Sequence, residues 1–271
     1  MSALKKILLP VDYSDRSLMA AEHARFIAKQ CGSQVTVLHV KESRTDEDGG
    51  QAARRAAVTN LFLNELDATS VELPGDAAEV IVQYAREHGY DLIVMPTRGH
   101  SALRLFLLGS VTAKVLHDTE TPVWTGVHSE QEALVPLTEV RHVVCAVDLG
   151  PQSDTVLRWA GDFAARFGAR LTLVHASAQL VPAFGVVHDP EFRAHLAELM
   201  SAQLADLLRK TGIGAEARLA SGEPAKAVVE AARESKSDLL VIGRTPPGLM
   251  GRLRATAYAI IRQSPCPVIS V

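Results

Sequence analysis

The chain alternates short apolar runs with longer stretches in which apolar residues recur at helical spacing. In the first half the runs lie at residues 6–11, 34–40, 69–73, 92–95 and 122–127. Stretches of helical periodicity lie at residues 15–31, 51–66, 76–87 and 110–116, and a charged loop at 41–50 precedes the second of them. Strands that are apolar throughout, separated by helices, predict a parallel sheet covered on both faces.

The second half repeats this order. Its apolar runs lie at residues 143–147, 170–176, 215–219, 239–242 and 268–271. Its helical stretches are one that ends at residue 167, one from about 189 to 210, one from 224 to 235, and one just before the last apolar run. The fold class predicted is therefore α/β, with two doubly wound domains that each contain a five-stranded parallel sheet flanked by helices. The ligand crevice of such a domain lies beyond the carboxyl ends of its strands.

The two halves also match residue by residue. Val11-Asp12 closes the first apolar run, and Val147-Asp148 stands 136 positions later at the end of the corresponding run. The same offset pairs Ser17 with Ser153, Ala24 with Ala160, Gly32 with Gly168 and His39 with His175. A period far longer than a solenoid repeat indicates two copies of a whole domain, which we place at residues 1–135 and 136–271.

Composition and charge argue against some classes of binding partner. The net charge of −3 and the pI near 6.4 give no basic surface for nucleic acid. No apolar run reaches bilayer length, and the N-terminus passes into a strand without the apolar segment of a signal peptide, so we expect a cytoplasmic protein with no membrane partner. The three cysteines, Cys31, Cys145 and Cys266, are odd in number and widely spaced, which predicts reduced core thiols.

The halves differ most after the fourth strand. In the first half a turn from Pro96 to Ser101 contains Gly99, and Gly109-Ser110 opens the next helix. Such a segment gathers backbone N–H groups and a hydroxyl at the positive end of a helix dipole, an arrangement that suits phosphate. Glycine leaves room for the anion and tolerates positive φ.

The second half has lost this pattern. Gly243 is kept, but Arg244-Thr245-Pro246-Pro247 replaces the turn, and Arg254-Ala255 stands where the first half has Gly-Ser. A long guanidinium side chain fills the space that glycine leaves open. We therefore expect no nucleotide in the second domain.

Taken together, these motifs resemble those of a tandem universal stress protein. The family pattern has Val-Asp after the first strand, His-Val ending the second, Asp-Leu-Ile-Val-Met on the fourth, and Gly-x-x-Gly-x9-Gly-Ser as a nucleotide loop. This chain shows Val11-Asp12, His39-Val40, Asp91 to Met95, and Gly99-x9-Gly109-Ser110-Val111. The resemblance covers essentially the full length and implies the HUP-like fold of the adenine nucleotide alpha hydrolases.

The resemblance also implies a site for ATP or a related adenine nucleotide in the first domain. The adenine and ribose would lie near Asp12 and Val40, and Mg²⁺ would enter through the nucleotide, with Asp12 as its candidate ligand. The full set of predicted nucleotide-binding residues is Pro10, Asp12, Val40, Met95, Arg98, Gly99, Gly109, Ser110 and Val111. One departure is Pro96, which replaces the first glycine of the pattern and has no N–H to donate.

Three of these features allow more than one interpretation. Asp12 either binds the ligand or only caps the first helix. His39 and His175 end equivalent strands although only one half has the loop, which favours hydrogen bonding or packing over chemistry. The segment after Gly99 resembles a hydrolase elbow but lacks its last glycine, so we do not expect Ser101 to be a nucleophile.

For function, the resemblance implies a cytoplasmic, nucleotide-responsive regulator of a stress response. The alternative is an interaction scaffold of the same fold that binds no nucleotide. No pair of general base and nucleophile can be named, so at most slow ATP hydrolysis is expected. Fifth strands pair across a two-fold axis in the family, which implies pairing of residues 122–127 with 267–271 inside this chain and allows a homodimer as well.

Overall fold

The computed structural model describes residues 4–41, 68–98, 108–128, 137–181, 190–244 and 255–271. The predicted charged loop beyond residue 41 and the predicted helix at 51–66 lie outside this part of the chain. So do Gly99, Ser101 and Arg254, and likewise the junction between residues 135 and 136.

Within the described ranges, strands and helices alternate as predicted. The strands are β1 (Lys6–Val11), β2 (Gln34–Lys41), β3 (Ala68–Pro74), β4 (Leu92–Met95), β5 (Val123–Thr125), β6 (His142–Ala146), β7 (Arg170–Ser177), β8 (Glu216–Ser221), β9 (Leu239–Ile242) and β10 (Val268–Ser270). The helices are α1 (Asp15–Cys31), α2 (Ala77–His88), α3 (Ser110–Asp118), α4 (Ser153–Phe167), α5 (Pro190–Thr211), α6 (Pro224–Glu234) and α7 (Ala255–Gln263), and a 3-10 turn covers Ala178–Leu180.

All ten strands form one sheet, in the order β3-β2-β1-β4-β5-β10-β9-β6-β7-β8. Every pairing within a half is parallel. The halves meet at β5 and β10, which are antiparallel and place Val268 opposite Thr125. The predicted α/β class is confirmed, and the two five-stranded sheets are joined edge to edge through their fifth strands.

Two continuous hydrophobic cores lie on the two faces of this sheet. One core packs α1 and α4 against the sheet, and Phe26 of α1 meets Phe167 of α4 with ring centroids 5.7 Å apart. The other core packs α2, α3, α6 and α7 against the opposite face. Because both cores contain residues of both halves, burial as well as strand pairing joins the domains.

Local sequence explains where several helices end. Gly32 and Gly168 terminate α1 and α4 in the left-handed conformation, with φ of 66° and 64°, which glycine adopts without a steric penalty. Asp76 is the N-cap of α2 rather than its first residue, since its side chain accepts from Glu79 N–H. The fifth strands are shorter than predicted.

The cysteines agree with the sequence prediction, except for the exposure of one. All three are free thiols, and Cys145 and Cys266 are buried, whereas Cys31 is partly exposed at the end of α1. Burial raises the pKa of the Cys145 thiol to about 12, so this side chain stays protonated. Among the helices in the described ranges, none is both long and apolar enough to span a bilayer.

Candidate functional site

The first-domain site is expected where the winding of the sheet reverses. β1 lies between β2 and β4, so the chain leaves β1 toward one side of the sheet and returns through β4 on the other. A crevice forms beyond the carboxyl ends of two such strands, because the connections that follow them diverge to opposite faces. Asp12 follows β1 here, and Pro96 follows β4.

Pro10 ends the hydrogen-bond ladder between β1 and β4. Asp91 N–H donates to the carbonyl of Lys6, so alternate residues of β1, including Pro10, face β4. Pro10 has no N–H to donate, and the ladder stops at the pair Leu8–Ile93. The two strands are therefore not joined at their carboxyl ends, where the crevice is expected.

The second domain lacks this interruption. Ala146 stands at the position of Pro10, and the β6–β9 ladder runs on to the pair Ala146–Ile242. The two domains thus differ in backbone pairing at the switch point as well as in the loop that follows it. The offset of 136 residues pairs Pro10 with Ala146, but the effect of this difference on strand pairing emerges only from the structure.

Helix α3 begins at the carboxyl edge of this sheet without a side-chain cap. Its N-cap is Gly109, and no side chain in the described ranges accepts from its first turn, whereas α1 and α2 are each capped by a side chain. The first intrahelical bond runs from Ala113 N–H to Gly109 O. The N–H groups of Ser110, Val111 and Thr112 precede it, at the positive end of the helix dipole.

Gly109 is required by a close backbone approach, and the expectation of positive φ is wrong at this position. Its φ is −59°, and its N–H donates to Thr97 O at 2.8 Å. A Cβ at this position would lie 3.1 Å from Arg98 Cα. A larger residue would therefore crowd the backbone of the turn that follows β4.

Asp12 holds the turn that leads into α1, but it is not the cap of that helix, because the N-cap is Ser14. Its Oδ1 accepts from Ser14 N–H at 3.0 Å and from the Ser17 hydroxyl at 3.0 Å. Asp148 repeats both contacts in the second domain, with the N–H two residues on and the hydroxyl five residues on, at 2.8 and 3.4 Å. These turn contacts are therefore common to both domains, and a ligand role for Asp12 stays a prediction.

The two strand-end histidines hold the backbone, as the repeat suggested. His39 Nδ1 lies 2.9 Å from Val11 O, and His175 Nδ1 lies 2.9 Å from Val147 O. Because a carbonyl oxygen only accepts, each ring carries its proton on Nδ1. Each histidine thus ties the end of one strand to its neighbour in the same way in both domains.

Tyr13 belongs to this region and was missed by the sequence analysis. It is buried with φ of 58°, and its ring centroid lies 4.7 Å from that of His39. Leu149, its counterpart, has φ of 59°. A single residue with positive φ leaves no periodic pattern in the sequence. The one sequence signal for Tyr13 is its place directly after Asp12.

The remaining predicted residues surround the same edge of the sheet. Met95 and Arg98 are buried, Val40 and Val111 are partly buried, and Ser110 is exposed. The carbonyl of Pro96 accepts from the Thr112 hydroxyl at 2.9 Å, so the proline that replaced glycine anchors the first turn of α3.

Asp91, which belongs to the family-like motif on β4, has a structural role at the other end of the sheet. Its Oδ2 accepts from the N–H groups of Lys5 and Lys6 at 2.8 and 2.9 Å. Asp238 does the same for Arg141 and His142 in the second domain. Each aspartate fixes the chain that enters the first strand of its domain.

A cleft of about 600 Å³ lies elsewhere on the molecule. It is lined by His128 and by residues of α6 and α7, and it includes none of the predicted nucleotide-binding residues. It therefore lies apart from the expected crevice at the end of β1.

Comparison with known proteins identifies both halves. The model of the universal stress protein family matches residues 3–125 and again residues 139–271. A universal stress protein of Methanocaldococcus jannaschii is 33% identical over 135 residues, which cover 44% of this chain and 79% of the relative. A universal stress protein of Bacillus subtilis is 28% identical over 141 residues, covering 44% of this chain and 95% of the relative.

A solved structure that covers the whole chain shows the same fold. The crystal structure of a universal stress protein from Archaeoglobus fulgidus matches 100% of this chain and 98% of its own, with a TM-score of 0.71 and 24% identity. A universal stress protein in complex with cAMP matches 47% of this chain and 100% of its own, with a TM-score of 0.38 and 21% identity. The chain belongs to the universal stress protein family and carries two family domains in tandem.

Proposed function

We propose that this protein is a cytoplasmic stress-response regulator whose first domain, residues 1–135, binds ATP or a related adenine nucleotide. One combination supports the proposal: a sheet that opens beyond Pro10 and an uncapped helix start at Gly109 occur at the same edge of one domain. In the second domain Ala146 and Arg254 stand at the positions of Pro10 and Gly109, so its sequence has neither the proline in the first strand nor the glycine before the helix.

The start of α3 supplies the phosphate end of the proposed site. The N–H groups of residues 110–112 are not consumed by the helix ladder, and a helix N-terminus stabilises negative charge. The exposed hydroxyl of Ser110 adds a donor. Phosphate oxygens fit this donor set, because they accept several hydrogen bonds at once.

The turn after β1 supplies the nucleoside end. The contacts of Asp12 with Ser14 and Ser17 fix its carboxylate at the end of the strand, where it can accept from ribose hydroxyls. Val40, which is only partly buried, adds apolar surface at the same edge of the sheet. Mg²⁺ would reach the site with the phosphates, where it would neutralise their charge, since no cluster of metal-binding side chains exists in the described ranges.

Two observations favour the scaffold as a second candidate. Gly109 N–H is already bonded to Thr97 O, and Pro96 has no N–H, so two donors of the family loop are not available to phosphate. A domain that binds no nucleotide would then act through its surface alone. The same experiment separates the two candidates.

Equilibrium dialysis of the full chain with labelled ATP, AMP and adenosine tests the proposal. We expect saturation near one nucleotide per chain. Ser110→Glu should abolish it, because a carboxylate at the helix start repels phosphate, while Ala255→Glu, at the first residue of α7, is the matched control and should leave it unchanged. Uptake of none of the three compounds would reject nucleotide binding and favour the scaffold.

A further inference from the structure

An arginine of the second domain binds the C-terminal end of helix α3 in the first domain. Arg244 is 7% exposed, and its guanidinium donates to the carbonyls of Leu116, Thr119, Glu120 and Thr121 at 3.3, 3.0, 3.5 and 2.8 Å. The last carbonyls of a helix have no partner within it and lie at the negative end of its dipole. A buried guanidinium supplies both the missing donors and the matching charge.

The other end of α3 is also held by the second domain. Leu108, which precedes the N-cap Gly109, donates its N–H to the hydroxyl oxygen of Tyr258 at 2.9 Å. Tyr258 lies on α7. One domain therefore contacts the helix of the other immediately before its first turn and again at its last.

Arg244 lies in the same segment in which the second domain has lost the nucleotide-loop pattern. Arg244 follows Gly243 in the segment that departs from the family pattern, and its counterpart in the first domain is Thr97. Thr97 is too short to reach the opposite domain. The second domain thus has a cross-domain clamp at the place where the first begins its phosphate loop.

We propose that Arg244 and Tyr258 are positioning residues for the nucleotide site, through which the second domain fixes α3 and its phosphate-facing N–H groups. A nine-residue helix is marginal alone, and only Thr112, Val115 and Leu116 of α3 are buried. Its orientation therefore depends on what holds its ends. The inference rests on the proposed nucleotide site, but the grip on α3 is measurable without any ligand.

The first measurement is hydrogen exchange of the ligand-free full chain, followed in peptides that span residues 108–121. Arg244→Gln should raise exchange there at least tenfold, and Arg244→Lys, which keeps the charge but not the planar fork, should give an intermediate rise. Tyr258→Phe should raise it a few-fold at the start of the helix. Arg209→Gln is the control, because Arg209 is exposed and pairs with Asp206 on its own helix.

The second measurement compares the affinities of ATP and adenosine by calorimetry. If α3 holds the phosphates, Arg244→Gln should weaken ATP at least tenfold and leave adenosine within twofold. Arg244→Lys should recover part of the ATP affinity. A purely structural defect would instead weaken both compounds equally, because it would lower the fraction of folded protein.

The outcomes separate the two proposals. Unchanged exchange in Arg244→Gln, or an equal loss of ATP and adenosine, overturns the positioning role. If the wild-type chain binds no nucleotide, the proposed function fails, and exchange alone decides whether the second domain holds α3. If Arg244→Gln does not fold, Arg244→Lys and Tyr258→Phe carry the same comparison.

Discussion

Trp124 of β5 donates a hydrogen bond from Nε1 to Nδ1 of His23 on α1, at 3.2 Å. Both side chains are buried, and their rings meet edge to face with centroids 5.7 Å apart. Because Nδ1 accepts this bond, the imidazole is neutral and carries its proton on Nε2. Burial lowers the pKa of His23 to about 4.

This pair predicts that the protein loses stability in mild acid. The pKa of His23 in the folded state lies below its unfolded value of 6.5, so the unfolded chain takes up the proton first as the pH falls. The free energy of unfolding should decrease between pH 6.5 and about 4, by roughly 3 kcal/mol. Urea denaturation at pH 7, 5.5 and 4 measures this loss.

His23→Gln provides the matched comparison for the acid effect. Glutamine keeps an acceptor for the Trp124 N–H but does not titrate, so the variant should show a flatter profile between pH 6.5 and 4. Identical profiles for the wild type and His23→Gln would contradict the assignment.

Asp91 should govern stability without affecting the ligand. Asp91→Ala removes the acceptor of two N–H groups at the amino end of the sheet, which should cost about 2 kcal/mol in urea denaturation. Asp238→Ala should cost a similar amount in the second domain. ATP affinity should stay unchanged in both, since the crevice lies at the opposite end of the strands. Weaker ATP binding in the Asp91 variant alone would place this residue in the site.

Pro10 should keep the crevice open. Pro10→Ala restores an N–H that faces β4, and we expect the ladder to extend past Leu8–Ile93 as it does in the second domain. Exchange of the new amide should be slow, and ATP affinity should fall at least several-fold with no loss of stability. Ala146→Pro is the reciprocal variant, which should lower stability and leave ATP affinity unchanged. A rapidly exchanging amide at residue 10 would argue against this role.

Asp12 and Asp148 occupy equivalent positions, so the same substitution in each domain tests the nucleoside end of the proposed site. Both carboxylates make the same two contacts, so Asp12→Asn and Asp148→Asn should lower stability by similar amounts. We expect ATP and adenosine affinity to fall about tenfold only in Asp12→Asn, because the proposed nucleotide site lies in the first domain alone. Equal affinities in the two variants would leave Asp12 with only its contacts in the turn before α1.

Much of the fold could be predicted because it rests on local periodicity. The buried runs that became β1 and β6, and the glycines that end α1 and α4, specify elements within a few residues of chain. The pairing of β5 with β10 followed only from the resemblance to the family. The positive φ of Tyr13 and the close approach of Gly109 to Arg98 could not be predicted, because each depends on residues that meet only after the strands have assembled.

The sequence by itself determined the duplication, the α/β alternation and the segment in which the two domains diverge, because these are properties of spacing along the chain. The tertiary structure determined which contacts are made by the residues that differ between the two domains. It set Pro10 against β4, where a missing N–H leaves the carboxyl ends of the two strands unpaired, and it carried Arg244 across the junction to the carbonyl of Leu116 in α3 and to carbonyls that directly follow the helix. Hydrogen bonds between residues more than a hundred positions apart have no periodicity to reveal them; they arise only when the sheet brings the two domains together.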